Sequence, residues 1–158
     1  MKKIITVIIF FIISGCGFKV VNLSESPDFS VAELNTEGDK RINYIIKNNF
    51  LIGSNQNEEK QINVDINTNK DKSIKEKNIK NEITKYTISI KVDVVIRQIN
   101  EKNSYKFTKV KSGAFNVATN NSETRNNEKN LISLLSKKLA SEISVSYTHL
   151  RAHETLLY

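Results

Sequence analysis

The chain has 158 residues, room for one domain and scarcely for two, with 24 Lys+Arg against 17 Asp+Glu and a formal net charge of +7. Hydrophobic residues make up 39% and charged residues 26%, which excludes a disordered chain, a collagen-like chain and a polytopic membrane protein. One Cys excludes an internal disulfide framework and a Cys-rich zinc site, and two His with five Gly offer little for a metal centre or a nucleotide loop. These counts favour a binding or assembly module over an enzyme, and no cofactor is expected. Lys, Asn and Ile all have A- and T-rich codons and are all confined to the chain before Ser144. The basic charge is therefore weak evidence for a nucleic-acid partner.

Lys2 and Lys3 make a positive start, and residues 4–13 carry one Thr and no charge. Ten such residues are too few to span a bilayer stably but suit the apolar core of a secretory signal. Ile13-Ser14-Gly15-Cys16 follows. An apolar residue, two small residues and Cys resembles the site cut by lipoprotein signal peptidase. The resemblance implies a signal over residues 1–15 and a lipidated Cys16 as the first mature residue. Several acyl chains there would anchor the chain stably, where one would not. Gly17 in place of Asp implies, by resemblance to the sorting rule of Gram-negative lipoproteins, export to the outer membrane. An exported chain is a poor candidate for binding nucleic acid.

Residues 18–23 alternate enough apolar side chains to predict a short strand beside the anchor, with Pro27 in a polar turn after it. Residues 36–52 predict a helix. Thr36 and Asp39 resemble a capping-box start, Ile42, Ile45, Ile46, Asn49 and Phe50 share one face, Arg41 and Lys47 lie opposite, and Gly53 is a suitable stop. Ile62, Val64 and Ile66 alternate with Asn63, Asp65 and Asn67, a strand with one buried face. The charge-dense residues 70–82 predict a strand fraying into a long exposed turn. Residues 86–97 make the clearest strand: Tyr86, Ile88, Ile90, Val92, Val94 and Ile96 point one way, while Thr87, Ser89, Lys91, Asp93 and Arg97 point the other. Residues 100–103 are a hairpin-length link, and residues 104–117 pair back. The apolar register slips between Lys109 and Val110, which predicts a β-bulge. Asn120, Asn121 and Ser122 offer N-caps to a second helix over residues 123–143, with Leu131, Leu134, Leu135, Leu139 and Ile143 as its apolar stripe.

The order β-α-β-β-β-α predicts an α+β two-layer sandwich. A mostly antiparallel sheet of three to four strands carries two amphipathic helices on one face, within one domain over residues 16–144. Residues 145–158 stand apart, with no Lys, Asn or Ile and both His. SYTHLRAHET resembles a translated sequencing-adaptor peptide, so the tail is expected to be non-native and the true C-terminus to be missing. His149 and His153 at i and i+4 beside Glu154 could meet one metal on a helix, but the tail is set aside and no metal site is expected. Scattered glycines exclude a phosphate loop, and Ser/His/Asp chemistry would need the tail's histidines.

Cys16-Gly17-Phe18 at the mature start, residues 86–90 opening the long strand, residues 105–116 and the Leu-rich helix of residues 131–143 together resemble the LptE family of lipopolysaccharide-assembly lipoproteins. The resemblance covers the mature domain and rests mainly on length and order of elements. It implies no enzyme, a lipid-anchored protein on the periplasmic side of the outer membrane, and a role as plug and assembly partner of the β-barrel LptD. The pair would place lipopolysaccharide in the outer leaflet. Lipid A phosphates could then meet basic side chains on the exposed sheet face, with Lys91, Lys106, Lys109 and Lys111 as candidates. Ordinary solvated strand lysines that blunt edge pairing are the simpler reading of those four. The alternative function is a periplasm-facing lipid- or envelope-binding lipoprotein with no barrel partner.

Overall fold

The computed structural model describes residues 29–52, 54, 60–99 and 104–155, with side chains as far as residue 150. Cys16, the strand expected at residues 18–23, Gly53 and the 100–103 link lie outside the described residues. The fold is α+β. One four-stranded sheet runs in the order β1 (Ser30–Gly38), β2 (Gln61–Lys77), β3 (Ile83–Gln98), β4 (Ser104–Asn116), and α1 (Lys40–Ile52) and α2 (Asn121–Thr155) cover one face of it. β1 pairs parallel with β2 through the α1 crossover, and the other two pairings are antiparallel.

The expected helix start at Thr36 is displaced. Thr36 lies in β1 opposite Ile66, and helix α1 begins four residues later. Asp39 is the cap: its Oδ1 accepts from the Arg41 and Ile42 amides at 3.0 and 3.1 Å. One carboxylate thus satisfies two of the four orphan donors of a helix start. Gly38, at φ +100°, makes the turn between strand and helix. The buried face of α1 is Ile42, Asn43, Ile46 and Phe50. Asn49, assigned to that face from the sequence, is exposed, and Asn43 is the polar residue inside. Asn43 Nδ2 donates to the Glu37 carbonyl (3.0 Å), the Thr68 hydroxyl donates to Asn43 Oδ1 (2.8 Å), and the Asp39 amide donates to Thr68 Oγ1 (3.1 Å). This closed network repays the burial of both side chains and ties the β1–α1 turn to β2.

Ile62, Val64 and Ile66 enter the core and Asn63, Asp65 and Asn67 face away, as the alternation requires. Residues 70–77 do not fray. They stay paired with β3 as far as Lys77↔Ile83. The turn is short because Asn78 Oδ1 accepts the Lys80 and Glu82 amides (2.9 and 3.0 Å) and Asn81 adopts φ 64°. Asn supplies both the local acceptor and the left-handed conformer.

No bulge interrupts β4: its register with β3 runs unbroken from Lys85↔Asn116 to Arg97↔Ser104. The apolar slip is a change in what covers the strand. Tyr105, Phe107, Lys109, Lys111, Gly113 and Phe115 all face the helix side, and Val110 faces outward at 53% exposure. At this sheet edge α2 covers β4 incompletely, so lysines fit between the apolar ends. Lys111 Nζ reaches Glu142 of α2 at 2.6 Å, and Lys109 Nζ stands 5.9 Å from the Phe107 ring centre. Gly113 lets α2 approach, with Leu131 directly above it.

Asn120 Oδ1 caps α2 at the Ser122 amide (2.8 Å). The helix buries Ile132, Leu135, Ser136, Leu139, Ala140 and Ile143, while Leu134, expected in the stripe, is 50% exposed. The helix also continues past Ile143, through the compositionally distinct segment, to Thr155. Tyr147 follows Ile143 by one turn and is buried against Phe29 and Tyr105, with ring centres at 5.0 and 5.7 Å. Among the described residues no helix is long and apolar enough to cross a membrane.

Candidate functional site

The four lysines singled out by sequence do not form one surface. Lys91 and Lys106 project from the open sheet face, and Lys109 and Lys111 project from the helix-covered face. Lys91 Nζ lies 3.1 Å from Asp93 Oδ2. Asp93 in turn accepts from the Thr108 hydroxyl, and that bond, followed by the one from Lys91, holds its carboxyl below the usual carboxylate value. Lys106 is exposed opposite Val95.

The open face is mixed in charge. Arg97 pairs with Asp65 at 2.6 Å and Lys85 with Glu76 at 2.9 Å, and Glu33, Glu37, Asp71 and Lys106 stand among Asn, Ser and Thr on the same face. Asn35 bridges Glu33 and Asp65 at 3.2 Å each, and the Ser89 and Ser112 hydroxyls meet at 2.9 Å. Such a face suits a polar partner surface. It has no excess of cations for a polyanion.

Positive charge gathers instead on the helix side, where the start of α1, the middle of β2 and the start of α2 converge. A cleft of about 360 Å³ is lined there by Asp39, Arg41, Lys70, Arg125, Glu128 and Lys129, with Ile132 the apolar member. Arg125, Glu128, Lys129 and Ile132 fall on one face of α2 because residues three and four apart are neighbours on a helix. Arg41 enters from the first turn of α1, immediately beyond its cap.

Both carboxylates in the cleft are committed. Asp39 caps α1 and holds Lys70 at 2.9 Å; Glu128 holds Lys72 of β2 at 2.6 Å. Partial burial pushes the Asp39 carboxyl up, but the Lys70 hydrogen bond, the Ile42 amide, the Lys70 charge and the Arg41 amide together outweigh it and leave it below its ordinary value. Lys72 also lies 4.5 Å over the Tyr86 ring, which is stacked on Phe115. Its aliphatic stem is thereby packed and its charge aimed at Glu128. Arg41, Arg125 and Lys129 are exposed.

Local pattern does not single these three out as a site: helical spacing puts Arg41 and Lys129 on the outer faces of their helices, and the Arg125/Lys129 pair at i, i+4 is the signal that the sequence carries. Its meeting with Arg41 is tertiary. His149, weighed as a metal ligand, is exposed on α2, and among the described residues no group of His, Cys, Asp and Glu is arranged to hold a metal.

No protein-family model matches the sequence, and no curated protein matches it. Solved structures do match the fold. Rare lipoprotein B from Shewanella oneidensis superposes with a TM-score of 0.60 at 8% identity, over 78% of this chain and 98% of its own. A protein from Caulobacter crescentus described as a putative lipoprotein superposes with a TM-score of 0.54 at 10% identity, over 77% of this chain and 91% of its own. At such identities the likeness establishes a shared fold across the domain, and it does not transfer residue roles.

Proposed function

We propose that the protein is an LptE-like lipoprotein, anchored to the periplasmic side of the outer membrane through acylated Cys16. In this reading it partners the LptD β-barrel as plug and assembly factor for lipopolysaccharide transport to the outer leaflet. The observation that carries the reading is the match of the domain fold to solved structures described as lipoproteins, rare lipoprotein B among them. The resemblance of residues 1–15 and Cys16 to a lipoprotein signal and its acylation site supports it, because such a signal would put an acyl anchor ahead of a domain of this fold.

The open sheet face fits the role in kind. A plug against a barrel wall needs many weak polar contacts and few uncompensated charges, since a buried unpaired charge costs more than it returns. The alternation of Asn, Ser and Thr with paired acids and bases on β2, β3 and β4 has that composition. The protein's part is binding and positioning, with no bond made or broken.

The test is capture from the native envelope. The acylated protein, tagged and extracted in mild detergent, is expected to retain an outer-membrane β-barrel in one-to-one ratio. It is also expected to be degraded when that barrel is depleted. Recovery of a stable, acylated protein alone would overturn the reading and favour a periplasm-facing lipid- or envelope-binding lipoprotein. Cys16→Ser should abolish the acyl mass increment and release the protein from the membrane fraction.

A further inference from the structure

We infer that the cleft between α1 and α2 is a binding site for a phosphate-bearing ligand, held by Arg41, Arg125 and Lys129. The lining charges are unequal in a specific way. Asp39 and Glu128 are each occupied by a lysine, Lys70 and Lys72 respectively, at ion-pair distance. Four cations and two carboxylates line the cleft, and Lys72 engages Glu128 from beside it, so Arg41, Arg125 and Lys129 make a local excess of positive charge with no ion-pair partner among the described residues. A phosphomonoester carries nearly two negative charges near neutral pH and offers three acceptor oxygens, so it fits this excess better than a single carboxylate does.

The side chains match the shape as well as the charge. Two guanidinium groups come from different helices, and each presents a planar fork of donors that suits a tetrahedral oxyanion. Lys129 adds a movable point charge one turn beyond Arg125. The end of α1 takes no part: Asp39 already occupies its free amides. Like-charged side chains brought together from separate elements, where the two nearby acids are already engaged by Lys70 and Lys72, raise the energy of the empty protein, and an anion relieves this. On the open sheet face, by contrast, acids and bases alternate. The inference extends the proposed function to a ligand and is tested apart from it, because barrel capture and phosphate binding can fail independently.

The probe is inorganic pyrophosphate, titrated into the full mature chain carrying Cys16→Ser, with backbone amide shifts as the readout. Saturable shifts at Arg41, Arg125 and Lys129 are expected. The variant Arg41→Gln/Arg125→Gln/Lys129→Gln should weaken binding by on the order of tenfold or more per cation removed, in line with charge-assisted hydrogen bonds. Lys137→Gln/Lys138→Gln removes charge from the exposed side of α2 and should change it less than about twofold, as a screened surface effect does. Thermal melts of both variants check the fold. Flotation with phosphatidylcholine vesicles, with and without phosphatidic acid, identifies the source: dependence on the three cations means a lipid headgroup, and pyrophosphate binding without flotation means a soluble phosphate. Either supports the site. Absence of saturable shifts, or equal losses in both variants, would overturn it.

Discussion

Gly38 and Thr68 are in backbone contact: a Cβ on Gly38 would stand 2.0 Å from the Thr68 carbonyl oxygen, at a φ of +100°. This approach is what allows β1 to turn directly into α1 while still paired with β2. Gly38→Ala meets both a strained backbone and a wall that cannot rotate away. It should destabilise the domain by about 3 kcal/mol, read as a lower midpoint in denaturant unfolding.

Thr68 also tests the buried network beside that turn. Thr68→Val keeps the shape but removes the hydroxyl that Asn43 Oδ1 and the Asp39 amide use. Two polar groups are left poorly satisfied inside, so the expected loss is about 1–3 kcal/mol. Thr68→Ser keeps the hydroxyl and should lose much less. Equal losses in the two variants would mean that packing, and not the hydrogen bonds, holds the turn.

Asp39 makes stability depend on pH in a defined direction. Its carboxyl in the folded protein lies below the ordinary value of 3.8. The folded state therefore binds a proton less readily than the unfolded chain. Its contribution is present above the ordinary value and is lost as pH falls through the lower, folded-state value. Asp39→Asn keeps a good N-cap and removes the charge. The variant's stability should fall less steeply than the parent's in the acid limb, measured by thermal melts across that range.

Tyr147 carries the continuation of α2 into the core. It is 1% exposed and joins Phe29 and Tyr105, and its hydroxyl accepts from Gln98 Nε2 at 3.3 Å. Tyr147→Ala should cost about 3–5 kcal/mol, and Tyr147→Phe about 1 kcal/mol. A Tyr147→Ala variant as stable as the parent would show that the core closes without this turn of helix.

Much of this fold is legible along the chain, and the reason is period. Residues 86–97 alternate with side chains of one kind for so long that only a strand half buried on a sheet satisfies them. The stripe of α2 repeats at helical spacing, and Asn120 marks its start. The pattern of residues 1–16 that resembles a lipoprotein signal is likewise linear, and the charge excess is a matter of composition. These features depend only on neighbours within a few residues.

What tertiary structure decided lies where local signals conflict or fall silent. Residues 30–38 carry too few apolar side chains to announce a strand, and pairing with β2 makes them one. Residues 70–77 look by charge like a strand that frays, yet the hairpin keeps them paired with β3 as far as Lys77↔Ile83, with the register shifting around Lys75. The slip at Lys109 and Val110 imitates a bulge, but the cause is incomplete cover by α2. Lys72 meets Glu128 and the Tyr86 ring, and Lys111 meets Glu142, only through elements far apart in sequence. Thus Lys91 and Lys106 were separated from Lys109 and Lys111 by the pleat, while Arg41 and Arg125 were brought together by the packing of two helices whose contact no local pattern encodes.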